Sequence, residues 1–126
     1  MINPGQEIFT KIMSISKDLG YKTYDYLPGE VGYPFVFIGE QFSQDIPNKS
    51  AVFGTIQQRI HVYGYSTQRG TVSSMMDEIL RECRKLESTN HFYVSITQNV
   101  SQQIIPDNST NTPLNHGILE VEFKFN

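Results

Sequence analysis

The sequence predicts one α+β domain over residues 1–126: a mainly antiparallel sheet with two helices packed on one face, in the order α-β-β(-β)-α-β-β. Three observations predict it. Two segments repeat apolar residues at helical spacing, each along a single stripe. The segments between and after them alternate apolar and polar residues, the period of a strand with one buried face. No repeat, linker or shift in composition divides the 126 residues, a length suited to one core. Helices with one stripe and strands with one apolar face pack most economically as two layers.

The first helix is expected over residues 4 to 19. Asn3 can accept bonds from the free N–H groups of the first turn, and Pro4 suits the first helical position. Ile8, Ile12, Ile15 and Leu19 form the stripe, widened by Phe9 and Met13. Gly20 is a natural stop. "YKTYDYLPGEVGYP" then reads as a connection with a turn at Leu27-Pro28-Gly29. "YPFVFIGEQF" reads as a strand, with Pro34 near its start where a missing N–H is tolerated. "SQDIPNKSAVFG" reads as a loop.

"TIQQRIHVYGY" is the clearest strand. Ile56, Gln58, Ile60 and Val62 form its inner register; Gln57, Arg59, His61 and Tyr63 form its outer register. A second helix is expected from about Thr67 to Leu86, with Val72, Met75, Met76, Ile79, Leu80, Cys83 and Leu86 as its apolar face and Ser66 or Thr67 as its cap. "HFYVSITQNV" alternates, with Phe92, Val94, Ile96 and Val100 on one side. "PDNSTNTPLNHG" reads as a polar loop. "ILEVEFKFN" closes the chain as a strand with Leu119, Val121, Phe123 and Phe125 inward and Glu120, Glu122 and Lys124 outward.

Composition narrows the function. Ten Lys and Arg against thirteen Asp and Glu make the chain mildly acidic, which argues against binding nucleic acid by bulk charge. A single cysteine, Cys83, excludes an intrachain disulfide. The first residues lack the basic-then-apolar pattern of a secretory signal, and no apolar run approaches the ~20 residues of a membrane helix. The expectation is a soluble intracellular protein.

"RIHVYGYSTQRGTVSSMMDEIL" runs strand, glycine turn, helix, the order of many phosphate cradles. A Walker loop, however, requires four residues between its glycines and then Lys with Ser or Thr. Here five residues separate Gly64 from Gly70, and no lysine follows. The expectation is a structural corner. His61, His91 and His116 have no second His or Cys at ligand spacing, so no metal is expected. Cys83 lies on an apolar stripe, where a thiol is a small hydrophobe. No serine sits in a Gly-x-Ser-x-Gly elbow. The chain is therefore expected to be no enzyme and to need no cofactor.

The outer face of the sheet is unusual. Tyr63 and Tyr65 fall on the outer side of one strand and Tyr93 on that of another. Either a loop or the connection before the first long strand covers these rings, or a neighbouring molecule does, since tyrosine is enriched at interfaces. Arg59, His61 and Tyr63 share this register and are the candidate subunit contacts.

The chain also resembles the tail terminator, or tail completion, family of long-tailed bacteriophages. The residues that carry the likeness are Val62-Tyr63-Gly64-Tyr65-Ser66 running directly into a helix, the early "YPFV" strand, and the closing Gly117–Phe123 pattern. The resemblance implies an α+β subunit of a ring, commonly a hexamer, which caps the tail tube, ends its polymerisation and offers the surface that joins the head. Its partners would be itself, the tail tube protein and a head-completion or connector protein, with no membrane and no sequence-specific nucleic acid. It would sit in the virion tail after assembly in the host cytoplasm. The family has no catalytic residues to carry over. Two alternatives stay open: a neck or head–tail connector ring, and a small cytosolic binding module without catalysis.

Overall fold

The structure is a computed structural model that describes residues 3–46 and 53–126. These residues form two helices and a six-stranded sheet. In chain order the elements are α1 (Pro4–Asp18), β1 (Thr23–Tyr24), β2 (Phe35–Ile46), β3 (Phe53–Tyr65), α2 (Arg69–Arg84), β4 (Val94–Ile96), β5 (Ser101–Asp107) and β6 (Leu114–Phe125). The fold class is the one the sequence predicts. Both helices pack on the same face of the sheet, and all pairings but the short parallel β1–β2 are antiparallel.

Helix α1 is capped as expected. The Asn3 side chain accepts a bond from the Gln6 N–H at 3.1 Å. Gly20 follows the helix at φ +90°, a conformation that costs glycine little. Ile8 and Ile12 are fully buried against the sheet. Helix α2 begins later than its polar neighbours imply. Gln68, not Ser66 or Thr67, is the capping residue, and its side chain makes no cap bond. Instead its Oε1 accepts from the Tyr65 N–H at 2.8 Å. A tight turn over Tyr65–Gln68 absorbs the serine and threonine before the helix starts.

The strand order is β1-β2-β3-β6, with β4 and β5 both lying along the far edge of β6. Between them Gln98–Val100 leaves the ladder, while Thr97 still donates its N–H to the Glu122 carbonyl at 2.8 Å. Glu122 of β6 fills the gap: its carboxylate accepts from Thr97 Oγ1 at 2.7 Å, Asn99 Nδ2 at 2.9 Å and Gln57 Nε2 at 3.2 Å. These bonds, that of Thr97 foremost, hold the Glu122 carboxyl below its ordinary value. The two loops read from the sequence are shorter than expected. β2 continues through Ile46 and β3 starts at Phe53, so only part of "SQDIPNKSAVFG" lies between strands, and its residues 47–52 fall outside the described residues. In "PDNSTNTPLNHG" both ends are strand. Asp107 pairs with Leu114, and Asn115, His116 and Gly117 pair with β3 on one side and β5 on the other. Backbone pairing on both sides outweighs their turn-forming composition.

A bulge in β2 shapes the outer face. Ile38 pairs with Ile60 and Gln41 with Gln58, which leaves both Gly39 and Glu40 opposite Arg59. Such an insertion leaves carbonyls unpaired and re-aims side chains. Gln58, fully buried in the inner register, answers the first effect. Its Nε2 donates to the Gly39 and Glu40 carbonyls at 3.0 and 3.1 Å, and its Oε1 accepts from Gln41 Nε2 at 3.0 Å. The second effect places the Glu40 carboxylate on the outer face of the sheet.

The core lies between the sheet and the helices. Ile56, Ile60, Val62, Leu119, Val121 and Phe123 face Val72, Met76 and Ile79 of α2. Gly64 and Gly117 let α2 come close. A Cβ on Gly64 would stand 2.7 Å from Val72 Cγ2, and one on Gly117 would stand 2.7 Å from Val72 Cγ1.

Candidate functional site on the outer face of the sheet

The alternation of β3 sets Arg59, His61 and Tyr63 in one line on the open face of the sheet, as their register predicts. The neighbouring strands join them into a network. Arg59 donates from Nε and Nη2 to Glu120 Oε2 at 3.1 and 2.9 Å, and from Nη1 to Glu40 Oε2 at 3.3 Å. His61 is almost buried. Its Nε2 lies 2.6 Å from Glu40 Oε1 and its Nδ1 lies 2.7 Å from His116 Nε2. An ionised Glu40 accepts a hydrogen bond from the His61 Nε2–H, so when the His61 ring is neutral its Nδ1 accepts one from the His116 Nε2–H.

The rings stack across the strands. Tyr63 lies between Phe35 and His116, with centroids 5.1 and 4.3 Å away. Phe37 stacks on His61 at 5.3 Å. Tyr33, from the connection before β2, packs edge-on against Tyr65 at 5.0 Å. Of the two covers the sequence leaves open, the connection therefore supplies one at this end of the face. It does not close the face: Tyr65 is 40% exposed, Tyr26 61% and Phe42 62%. Tyr93, at 75% exposed, stands away from this group beside β4.

The network shifts its titrating groups. Burial raises Glu40, but the His61 hydrogen bond and the charges of His61 and Arg59 outweigh it, so the carboxyl titrates below its ordinary value. Burial, then the His61 ring, holds His116 below the ordinary histidine value against the pull of Asp107 and Glu40. Burial, then the Asp107 and Glu40 charges, raises the Tyr63 phenol.

These shifts make stability depend on pH. Between its depressed folded value and the ordinary 6.5, His116 binds more protons in the unfolded chain than in the folded one. Stability then rises with pH. It is therefore expected to fall as pH drops below 6.5, and the loss stops once pH passes below the folded value. Glu40 acts in a lower window: its contribution is present above the ordinary 4.5 and is lost as pH falls through its depressed folded value. Urea midpoints measured from pH 8 down to about pH 2 check both windows, and His116→Gln is expected to flatten the upper part of the fall. An unchanged profile in that variant would assign the fall to other groups.

Glu40, Glu120 and His116 are the members of this face that sequence reasoning missed. Glu120 was legible as an outward residue, but its partner Arg59 emerges only from the β3–β6 register. His116 falls in a segment read as loop. Glu40 faces outward only because of the bulge.

Other candidate sites stay apart from this one. Cys83 is fully buried, and burial pushes its thiol up to about 12. His91 binds Glu7 of α1: the Glu7 carboxylate lies 2.8 Å from His91 Nδ1 and also accepts from the His91 N–H and Thr89 Oγ1. This ties the segment after α2 to the first turn of α1. Among the described residues no three His, Cys, Asp or Glu side chains gather as a metal site, and no helix is long and apolar enough to cross a membrane. An open groove of about 640 Å³ lies at one end of the sheet beside Phe53, Tyr93, Val94 and Phe125.

In the glycine turn, Gly64 serves helix packing, while a Cβ on Gly70 would meet nothing within 4 Å. Titrating ATP with magnesium by calorimetry is expected to give no saturable heat. Micromolar binding that vanished in an Arg69→Ala, Thr71→Ala double variant would overturn this.

No protein-family model matches the chain. No curated protein matches it. Among solved structures, a chain of the "Virion of native gene transfer agent (GTA) particle" matches 92% of this chain and 91% of that chain, with a TM-score of 0.65 and 10% sequence identity. At that identity the likeness shows a shared fold, running nearly end to end in both chains.

Proposed function

We propose that this chain is a virion structural protein of the tail terminator kind. It forms a closed ring, a hexamer, that caps the tail tube, ends tube growth and presents the surface to which the head joins. Arg59, His61 and Tyr63 lie at or beside the contact between subunits. One observation carries the virion role: the fold is shared along almost the whole of both chains with a protein of a gene transfer agent virion. The same observation supports a second reading, a neck or head–tail connector ring, because the name of that structure specifies the virion and no place within it.

The outer face supports assembly by its composition. It carries stacked rings with polar tips, and such side chains bury large areas at an interface while their polar atoms stay bonded. The role is structural and requires no catalytic group or cofactor.

Negative-stain electron microscopy of the purified chain, with sedimentation velocity for its mass, tests the reading. The expected result is a closed ring of uniform diameter. A chain that stays monomeric at every accessible concentration would overturn it and would favour the small binding module. Locating the ring in assembled particles separates terminator from connector.

A further inference from the structure

We propose that the open face of the sheet docks onto the exposed side of α2 in a second copy of this chain, with Arg81 and Arg84 of one copy meeting Glu40 and Glu120 of the next. The proposal rests on the ring reading and specifies its two unlike surfaces.

Around the β2 bulge the sheet face carries two carboxylates for one guanidinium: Glu40 and Glu120 share Arg59, Glu40 also meets the His61 ring, and Glu40 remains 60% exposed. Between them lies a recess of about 170 Å³, lined also by Arg59 itself and by Gln41, Phe42 and Gln57. Two carboxylates beside an exposed aromatic ring suit an incoming guanidinium. The carboxylates accept its N–H groups, and the ring face takes its planar side.

The complementary surface is on the same chain. Arg81 and Arg84 are exposed near the C-terminal end of α2. Among the described residues neither lies within 4.0 Å of a carboxylate, whereas the adjacent Lys85 is paired with Glu82 at 2.8 Å. Leu80 and Asp77 complete a shallow concavity with them.

Topology makes the match directional. Helix α2 packs on the inner face of the sheet, so its exposed side and the outer face look in opposite directions. A contact between them pairs unlike patches, and repeating it adds copies head to tail until rotation closes the ring. It also covers the second face of the sheet with helices, a common three-layer arrangement.

The test uses two variants of the full chain. Arg81→Glu with Arg84→Glu changes only exposed helix positions; Glu40→Lys changes the other surface. Circular dichroism confirms that each is folded. Light scattering at low salt is expected to show that each variant alone requires at least ~10-fold more protein to assemble than the wild type, because like charges then face each other. Mixed one to one, the two variants are expected to recover assembly, since each offers the other a matching pair of surfaces. A helix variant that assembles like the wild type would overturn this docking and leave the ring reading standing. So would a mixture of folded variants that fails to recover. A wild-type chain that never assembles would overturn both.

Discussion

Gly117→Val is expected to destabilise the domain by about 3 kcal/mol, the upper end of ordinary overpacking. A Cβ at Gly117 would stand 2.7 Å from Val72 Cγ1 and 2.8 Å from Met76 Sδ. The methionine can yield, because its thioether chain is flexible. Val72 cannot: a β-branched side chain in a helix has one preferred rotamer. Relief therefore requires α2 to lift from the sheet, which loosens Met76, Ile79 and the strand residues beneath them. Gly64 presses on the other methyl of the same valine, at 2.7 Å, so Gly64→Ala is expected to act in the same direction. Urea unfolding followed by circular dichroism measures both. A change below ~0.5 kcal/mol for Gly117→Val, the range of an ordinary surface substitution, would mean that α2 is not seated on these glycines.

Ile79→Ala is expected to destabilise the domain strongly for the opposite reason. Ile79 is fully excluded from water, while Leu80 on the same helix is 5% exposed. Removing the buried methyl groups loses their transfer free energy and leaves a cavity that the sheet cannot fill. Such substitutions cost ~2–5 kcal/mol. The loss at Leu80→Ala is expected within the same range but smaller, because that site opens toward solvent and can relax. The same unfolding experiment compares the two. Losses of only a few tenths of a kcal/mol at both positions would remove this stripe from the core.

Much of the fold was legible because its elements obey one period each. The inner register of β3 and the alternation of β6 bury the residues that periodicity selects; in the α1 stripe Ile8 and Ile12 are buried, Ile15 and Leu19 are half-buried, and Ser16 is fully buried beside them. Local signals worked where one residue decides the backbone, as at Asn3 and Gly20. They failed where distant pairing decides it. The ends of "PDNSTNTPLNHG" look like loop but lie in a ladder with partners on both sides. Gly64 ends the strand read from "TIQQRIHVYGY" and continues its inner register, and Gly117, read as loop, continues that of β6. A glycine at an inward position marks close approach of another element, and that signal was available. The candidate site was half legible. Register alone placed Arg59, His61 and Tyr63 on one face. Nothing local pairs Glu40 with His61, because the pairing depends on a bulge that Gln58 stabilises from the buried side.

The mass of wild-type and Tyr63→Glu chains by light scattering, with circular dichroism as the folding control, bears most immediately on the ring and its contact face. Tyr63 sits at the centre of the stacked rings, and a carboxylate desolvated there by a neighbouring subunit would have no partner. The expected result is a ring for the wild type and a folded monomer for Tyr63→Glu. Intact rings formed by Tyr63→Glu would contradict this assignment and remove the face from the subunit contact.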